Sequence, residues 1–191
     1  MRIISGSLKG KSFSFLKNSN TRPLKDSVRE NIFNILQHSN FIKPRVKNSK
    51  ILDLYSGIGS FGIECISRGA RKVTFVEHDL SASKILKQNL INLSIIEKSK
   101  IFNDKIENVL NQKVLEQFNI FFFDPPFKDL DFLKNLKLIK KNKIFDTNHI
   151  IIIHREKDSE ESLEEFFKVV EQKVYGRSKI IFGVFNWVVF L

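Results

Sequence analysis

One cysteine, Cys65, stands alone in the sequence, so no intramolecular disulfide can form and nothing calls for an oxidising compartment. Proline and glycine are scarce as well, 4 and 8 among 191 residues, which excludes collagen-like and low-complexity architectures and leaves a chain ordered throughout. Long apolar runs are missing. The longest, such as residues 150–153, have the length of a buried strand, far short of the roughly 20 residues of a membrane helix, and none at the start suits a signal peptide. A cytoplasmic protein with no membrane contact is expected. Acidic residues are short too, 21 against 32 Lys and Arg, for a net charge of +11. The shortage is local: residues 1–50 hold 11 bases and 2 acids, whereas residues 51–191 hold 21 and 19. A uniformly lysine-rich composition would load both parts alike, so the basic N-terminal quarter reads as a surface for a polyanion such as nucleic acid.

What is present is enough apolar material, 42% of the chain, for one full core but not for two independent domains. Residues 1–48 read as a basic hairpin-and-helix extension for RNA, and residues 49–191 as the main domain. From residue 50 onward, β-branched or aromatic runs at 50–54, 72–77, 100–103, 119–124 and 148–154 alternate with helical periodicity at 61–68, 81–93, 105–117 and 130–140. That alternation predicts a parallel sheet covered on both faces. The end of the chain differs. Runs at 171–177 and 179–191 around a turn at Ser178 predict an antiparallel hairpin, and 159–169 carries Leu163, Phe166 and Phe167 on one face, as a surface helix would. The fold class is therefore α/β: a doubly wound, Rossmann-like sheet of seven strands, mostly parallel, closed by an antiparallel hairpin. Upstream, residues 2–16 alternate as a basic hairpin. Ser27-Val28-Arg29-Glu30 fits the capping box of a helix that buries Val28, Ile32, Phe33, Ile35 and Leu36.

Gly57-x-Gly59-x-x-Gly62 follows the first strand and precedes a helix, where glycines let the backbone turn tightly and approach a ligand. The spacing alone is shared by dehydrogenases, kinases and ordinary turns. Asp53, four residues before Gly57, discriminates: the α-ammonium of S-adenosylmethionine needs an acceptor there, whereas a pyrophosphate prefers bare amides. Glu77 ends the second strand, where an acid can accept both ribose hydroxyls. Asp104 follows the third and can either accept the adenine amino proton or cap the next helix. These strand ends converge on the crevice where open α/β sheets bind ligands. Tyr55, Ser56, His78 and Lys105 beside them complete the expected cofactor-binding set.

The fourth strand delivers Asp124-Pro125-Pro126-Phe127 into the same crevice. Two prolines fix two φ values and remove two donors, so the Asp124 carboxylate and the Pro125 carbonyl are aimed rigidly. An exocyclic base amine is a poor nucleophile because its lone pair is delocalised into the ring. Two acceptors on its N–H groups hold it and favour pyramidalisation, while Phe127 stacks on a base that has left its neighbours. No metal is expected: His38, His78, His149 and His154 lack ligand spacing.

These residues resemble the RsmD family, small bacterial methyltransferases acting on guanine N2 of 16S ribosomal RNA. The likeness runs through Met1-Arg2-Ile3-Ile4-Ser5-Gly6-Ser7, Lys9-Gly10-Lys11, Arg22-Pro23, Asp26-Ser27-Val28-Arg29-Glu30-Asn31-Ile32-Phe33-Asn34, residues 52–62, Ser67-Arg68-Gly69-Ala70, Phe75-Val76-Glu77, Asn89-Leu90 and Asp124-Pro125-Pro126-Phe127. The segment from Arg22 to Asn34 is the most specific to the family. The resemblance implies a monomer that uses S-adenosylmethionine and acts on 16S rRNA in a partly or fully assembled 30S subunit. Lys9 and Lys11 on the basic hairpin would hold RNA, with Arg22 on its backbone phosphates and Arg29 either beside it or in a structural ion pair. The chain departs from the family at Leu24-Lys25, where threonines are usual, and at His154-Arg155-Glu156, where an acid is commoner. Rivals fit less well. A sequence-specific DNA amino-methyltransferase needs a separate recognition domain, a protein-glutamine methyltransferase carries Asn at the position of Asp124, and hydride transfer uses neither Asp53 nor the Asp124 turn. An enzyme for another RNA or DNA base, or a non-catalytic RNA-binding assembly factor, is the alternative, although a pure binder would not need Asp53, Glu77, Asp124 and Phe127 together.

Overall fold

The computed structural model describes residues 1–15, 24–112 and 116–185. Helix α1 (Asp26–His38) leads into strand β1 (Lys50–Leu54), α2 (Ser60–Ser67), β2 (Lys72–Val76), α3 (Leu80–Asn92), β3 (Ser99–Phe102), α4 (Ile106–Leu110), β4 (Phe118–Phe123), α5 (Phe132–Asn142), β5 (Phe145–Glu156), β6 (Lys168–Tyr175) and β7 (Ser178–Val184). The seven strands lie in the order β3-β2-β1-β4-β5-β7-β6. β1 to β5 are parallel, and β7 runs antiparallel to both β5 and β6. The order reverses between β1 and β4, so the carboxyl ends of those strands open a crevice there.

Successive side chains of a strand face opposite sides, and the buried residues divide accordingly. Ile51, Ile120, Phe122, Ile150 and Ile152 face α1, α2 and α3, together with Ile3 and Phe13 from the N-terminal segment. Leu52, Leu54, Phe121, Phe123, Ile151 and Ile153 face α5 and the buried Leu163, Phe166 and Phe167. Residues 1–15 and α1 thus share the core of one sheet face. A stack of Phe33 on Phe61 and Phe61 on Phe122, with centroids 5.2 and 4.0 Å apart, ties α1 through α2 to β4. Among the described residues, no helix is long and apolar enough to cross a membrane.

Several elements depart from the sequence pattern, each for a tertiary reason. The N-terminal segment does pair as an antiparallel hairpin, with Arg2 bridging Ser12 and backbone bonds joining Met1 to Phe13 and Ile3 to Lys11, but it is too short for a ladder and lies as a strap over α2 and α3. Buried Glu64 accepts the Ile4 and Ser5 amides at 2.8 and 2.9 Å, Ser67 Oγ accepts that of Leu8, and Asn89 Oδ1 accepts that of Ser14. Helix α1 starts at Asp26 behind Lys25 with no side-chain cap, so Ser27 does not form a capping box. Helix α4 stops at Leu110, and Glu116 instead bridges Lys50 and Lys72 ahead of β4. Residues 159–169 are not helical: Arg155 draws Glu161 inward, and the Phe167 ring lies where a Cβ on Gly183 would stand, which leaves room for one turn only. The hairpin turns at Gly176 and Arg177, not at Ser178. Gly176 takes the positive φ of 59°, and Ser178 opens β7 opposite Tyr175. The far end of the predicted last strand, 186–191, lies outside the described residues.

Candidate active site

Beyond β1 the chain bends through Tyr55, at φ 58°, into the glycine-rich turn. Gly59 sits at φ 88°, and a Cβ there would come within 2.4 Å of Leu86. At Gly62 it would lie 2.2 Å from the Phe75 ring, so the absence of a side chain is what lets α2 close on β2. Asp53 projects beneath this turn, almost wholly buried, and its Oδ2 accepts the Gly62 amide at 3.0 Å. Burial raises the Asp53 carboxyl well above the usual range. The Gly62 amide opposes that shift, and the charges of Asp124 and Glu77 add to it.

Glu77 lies beside the glycine-rich turn, just past the end of β2. Its Oε2 accepts the Gly57 amide and its Oε1 the Asp79 amide, both at 2.8 Å, which leaves each oxygen a second lone pair. His78 is exposed, with Nδ1 3.5 Å from Glu77 Oε1. Ser56 directs both its amide and its hydroxyl to the Val76 carbonyl, so its role here is to join β1 to β2. The Tyr55 hydroxyl accepts from Asn135, and burial, assisted by the charge of Asp129, pushes its acidity down. Asp104 is exposed and turned toward α4. Its Oδ1 accepts the Lys105 amide at 2.7 Å and Asn108 Nδ2 at 2.8 Å, so it is placed at the helix head, with Lys105 exposed beside it. Asn103, which no motif marks, donates to the carbonyls of Glu77 and His78 at 2.8 and 3.1 Å and shapes the loop that carries them. A polar residue between a strand end and an acid is its only signal in the sequence.

The Asp124 turn closes the other side. The Asp124 amide reaches the Leu54 carbonyl at 3.4 Å, which brings the ends of β4 and β1 together. Its Oδ1 lies 2.7 Å from His154 Nδ1, and His154 Nε2 lies 2.9 Å from Ser178 Oγ. Arg155 is 1% exposed. Its guanidinium donates to the carbonyls of Pro126 at 3.1 Å and Phe127 at 2.7 Å, and it is paired with Glu161. Pro125 keeps its carbonyl out of that set. Phe127 is half-buried and meets His154 edge to face, with centroids 5.6 Å apart. Of these supports, His154 and Arg155 stood out in the sequence only as a departure from the RsmD pattern.

The residues expected to hold RNA are dispersed. Lys9 and Lys11 are exposed beside Leu8, which is bonded to Ser67 at the C-terminal end of α2. The glycine-rich turn lies at the opposite end of that helix, roughly 12 Å away at helical rise. Of the two alternatives for Arg29, the geometry fits the structural ion pair and not RNA contact: it is completely buried, pairs with Asp26 at 3.0 Å, and donates to the Arg2 carbonyl at 2.6 Å. A side chain in that position ties α1 to the N-terminal strap and has no surface to offer RNA. Arg22 lies outside the described residues.

The family model described as Conserved hypothetical protein 95 matches residues 1–184. Ribosomal RNA small subunit methyltransferase D of Haemophilus influenzae is 32% identical over 178 residues, 92% of this chain and 89% of that protein. The protein of the same name from Escherichia coli strain K12 is 30% identical over 156 residues, 82% of this chain and 75% of that one. The solved structure of yhhF from Escherichia coli superposes with a TM-score of 0.82 at 27% identity, covering 96% of both chains.

Proposed function

The chain belongs to the Conserved hypothetical protein 95 family, the RsmD family that its motifs resemble, and from that membership we propose that it transfers methyl groups from S-adenosylmethionine to guanine N2 in 16S rRNA. The observation that carries the reading is the convergence of Asp53, Glu77 and Asp124 on one crevice. Asp53 is buried there against its own charge, with the other two acids raising it further. Such a site is short of positive charge. S-adenosylmethionine carries a sulfonium and an ammonium, whereas a dinucleotide would bring a pyrophosphate into the same field.

The residues fit that cofactor. Asp53 would accept from the ammonium, directly or through a water. The free lone pairs of Glu77 suit the ribose hydroxyls, and Oδ2 of Asp104 suits the adenine amino group. When bound, the cofactor supplies a methyl group made electrophilic by its sulfonium. The chain supplies the geometry. Asp124 and the Pro125 carbonyl would accept the two N–H groups of the target amine and hold its lone pair toward the methyl while Phe127 stacks on the base; as the N–C bond forms the S–C bond breaks, leaving S-adenosylhomocysteine, and the methylated amine releases one proton to solvent. Lys9 and Lys11, a helix length from the turn, would touch only a macromolecular substrate. That favours folded RNA as the substrate, and membership of the RsmD family adds the small subunit as its setting, with a monomeric, cytoplasmic enzyme.

The test is transfer of labelled methyl to unmodified small subunits, free ribosomal RNA and DNA, with wild type beside Asp124→Ala. Label in ribosomal guanosine, lost in the variant, supports the reading. Cofactor binding without label in any nucleic acid would favour an assembly factor, and label confined to DNA would replace the substrate class.

A further inference from the structure

The Asp124 turn is held by side chains that come from neither β4 nor the turn itself. His154 and Arg155 are consecutive residues at the end of β5 and therefore project from opposite faces of the sheet. Arg155 goes down toward Phe132, 4.8 Å from its ring, and secures the backbone after Pro125. His154 goes to the other face and meets Asp124 itself. A carboxylate has two oxygens and rotates easily about χ2, yet the proposed reaction asks one oxygen to stay in a fixed place.

We propose that His154 is a positioning residue for methyl transfer: by holding Asp124 Oδ1 it presents Oδ2 to the target amine, and by packing on Phe127 it sets the tilt of the stacking ring. This role rests on the methyltransferase reading above. An ionised carboxylate only accepts, so Nδ1 carries the proton at 2.7 Å from Oδ1. With a single proton on the ring, Nε2 accepts from the Ser178 hydroxyl at 2.9 Å, so Asp124 sets the tautomer and Ser178, able to donate or accept, turns its hydroxyl to match and anchors the far side of the ring. The imidazole is 7% exposed, so packing fixes its rotamer as well. Ser178 stands on β7 opposite Glu156, which makes the β5 to β7 register part of the site.

A histidine that merely filled the strand end would stabilise the fold without favouring one oxygen of Asp124. The two roles separate in kinetics on the full chain with small subunits as acceptor. His154→Phe should lower kcat by about 10- to 100-fold, the effect of shifting a reacting group by about an ångström, with KM for subunit and cofactor within about twofold. His154→Asn places an amide nitrogen near the position of Nδ1 and should recover most of that loss. Nitrogen-15 spectra of the cofactor-free protein should show His154 as the Nδ1–H tautomer, with its signals displaced in Ser178→Ala. Those measurements stand even if the phenylalanine variant does not fold. Unchanged kcat in His154→Phe, an equal loss in His154→Asn, or an Nε2–H tautomer overturns the proposal. A wild type that labels no nucleic acid overturns the methyltransferase reading, and this role with it.

Discussion

The two walls of the crevice are built differently. On the glycine side, Asp53, Gly57, Gly59 and Gly62 lie within one short stretch, and Glu77 comes from the next strand and closes on the Gly57 amide. On the Asp124 side, the turn is short but its supports, His154, Arg155, Glu161 and Ser178, arrive from 30 to more than 50 residues downstream. The first wall is held mainly by backbone amides and the missing side chains of glycine. The second is held by side chains whose strands must first pair. Chemistry that depends on the first wall should therefore tolerate changes around β7, and chemistry that depends on the second should not.

The largest effect expected separates the walls by function. Asp124→Ala should reduce methyl transfer by about 10³-fold while cofactor binding persists, as for loss of a preorganised acceptor. Asp53→Asn should instead weaken cofactor binding by about 10- to 100-fold through one missing charged hydrogen bond. Its melting temperature should match or exceed that of wild type, because an amide avoids the cost of a buried charge. Isothermal titration and single-turnover rates check both, and a crossed result, with Asp53 acting only on rate, would dissolve the distinction.

Stability provides the second contrast. Arg155→Ala removes a buried guanidinium and leaves the half-buried Glu161 and two turn carbonyls without their partner, which should cost about 1–3 kcal/mol, with the Asp124 turn losing its order. Gly62→Ala drives a methyl into the Phe75 ring and should cost about 1–3 kcal/mol, with cofactor affinity falling alongside. Urea melts would show both effects, and amide exchange should localise the first to residues 124–129.

Charge reversal at Lys9 and Lys11 acts far from either wall. It should leave cofactor affinity intact but weaken RNA binding and lower the salt slope by about 1 for each phosphate that is no longer neutralised. An RNA affinity independent of these substitutions at every salt concentration would remove the docking role of the strap.

The smallest effect concerns the other end of β5. His149 is buried, and its Nε2 accepts the Phe185 amide at 2.9 Å while Nδ1 lies 2.7 Å from the Asp146 carbonyl. Burial holds its pKa below the ordinary 6.5, against the Asp146 contacts. The unfolded chain therefore binds the proton more readily, so this contribution is absent above about pH 6.5 and stability falls as the pH drops from there toward the folded pKa. A His149→Phe variant should show a flatter stability profile between pH 7 and 5, and an identical slope would exclude His149 as the source.

Much of the first wall was legible because glycine spacing, strand ends and acids are local signals. The five parallel strands were readable from their β-branched and aromatic runs, and Asp124-Pro125-Pro126-Phe127 announced a rigid turn. The helix expected at 159–169 was not formed although Leu163, Phe166 and Phe167 are buried together, because apolar spacing reports a buried face but not the backbone that buries it. Asp104 could have been ligand or helix cap, and it stands one residue ahead of the Lys105 N-cap, with Oδ1 held by Lys105 and Asn108. Arg29 belonged to a basic quarter, yet its burial between α1 and the N-terminal strap, paired with the exposed Asp26, withdrew it from the charged surface.

The sequence by itself determined which residues could turn, stack, accept or carry charge, and hence the fold class and the chemistry of the crevice. These properties are intrinsic to residue types and to spacings of a few positions. Only the tertiary structure decided which acids face the crevice, which arginines become interior struts, and that His154 reaches Asp124. The physical reason is that those outcomes depend on strand register: β5 must pair with β4 and β7 before a ring 30 residues away lies 2.7 Å from a carboxylate.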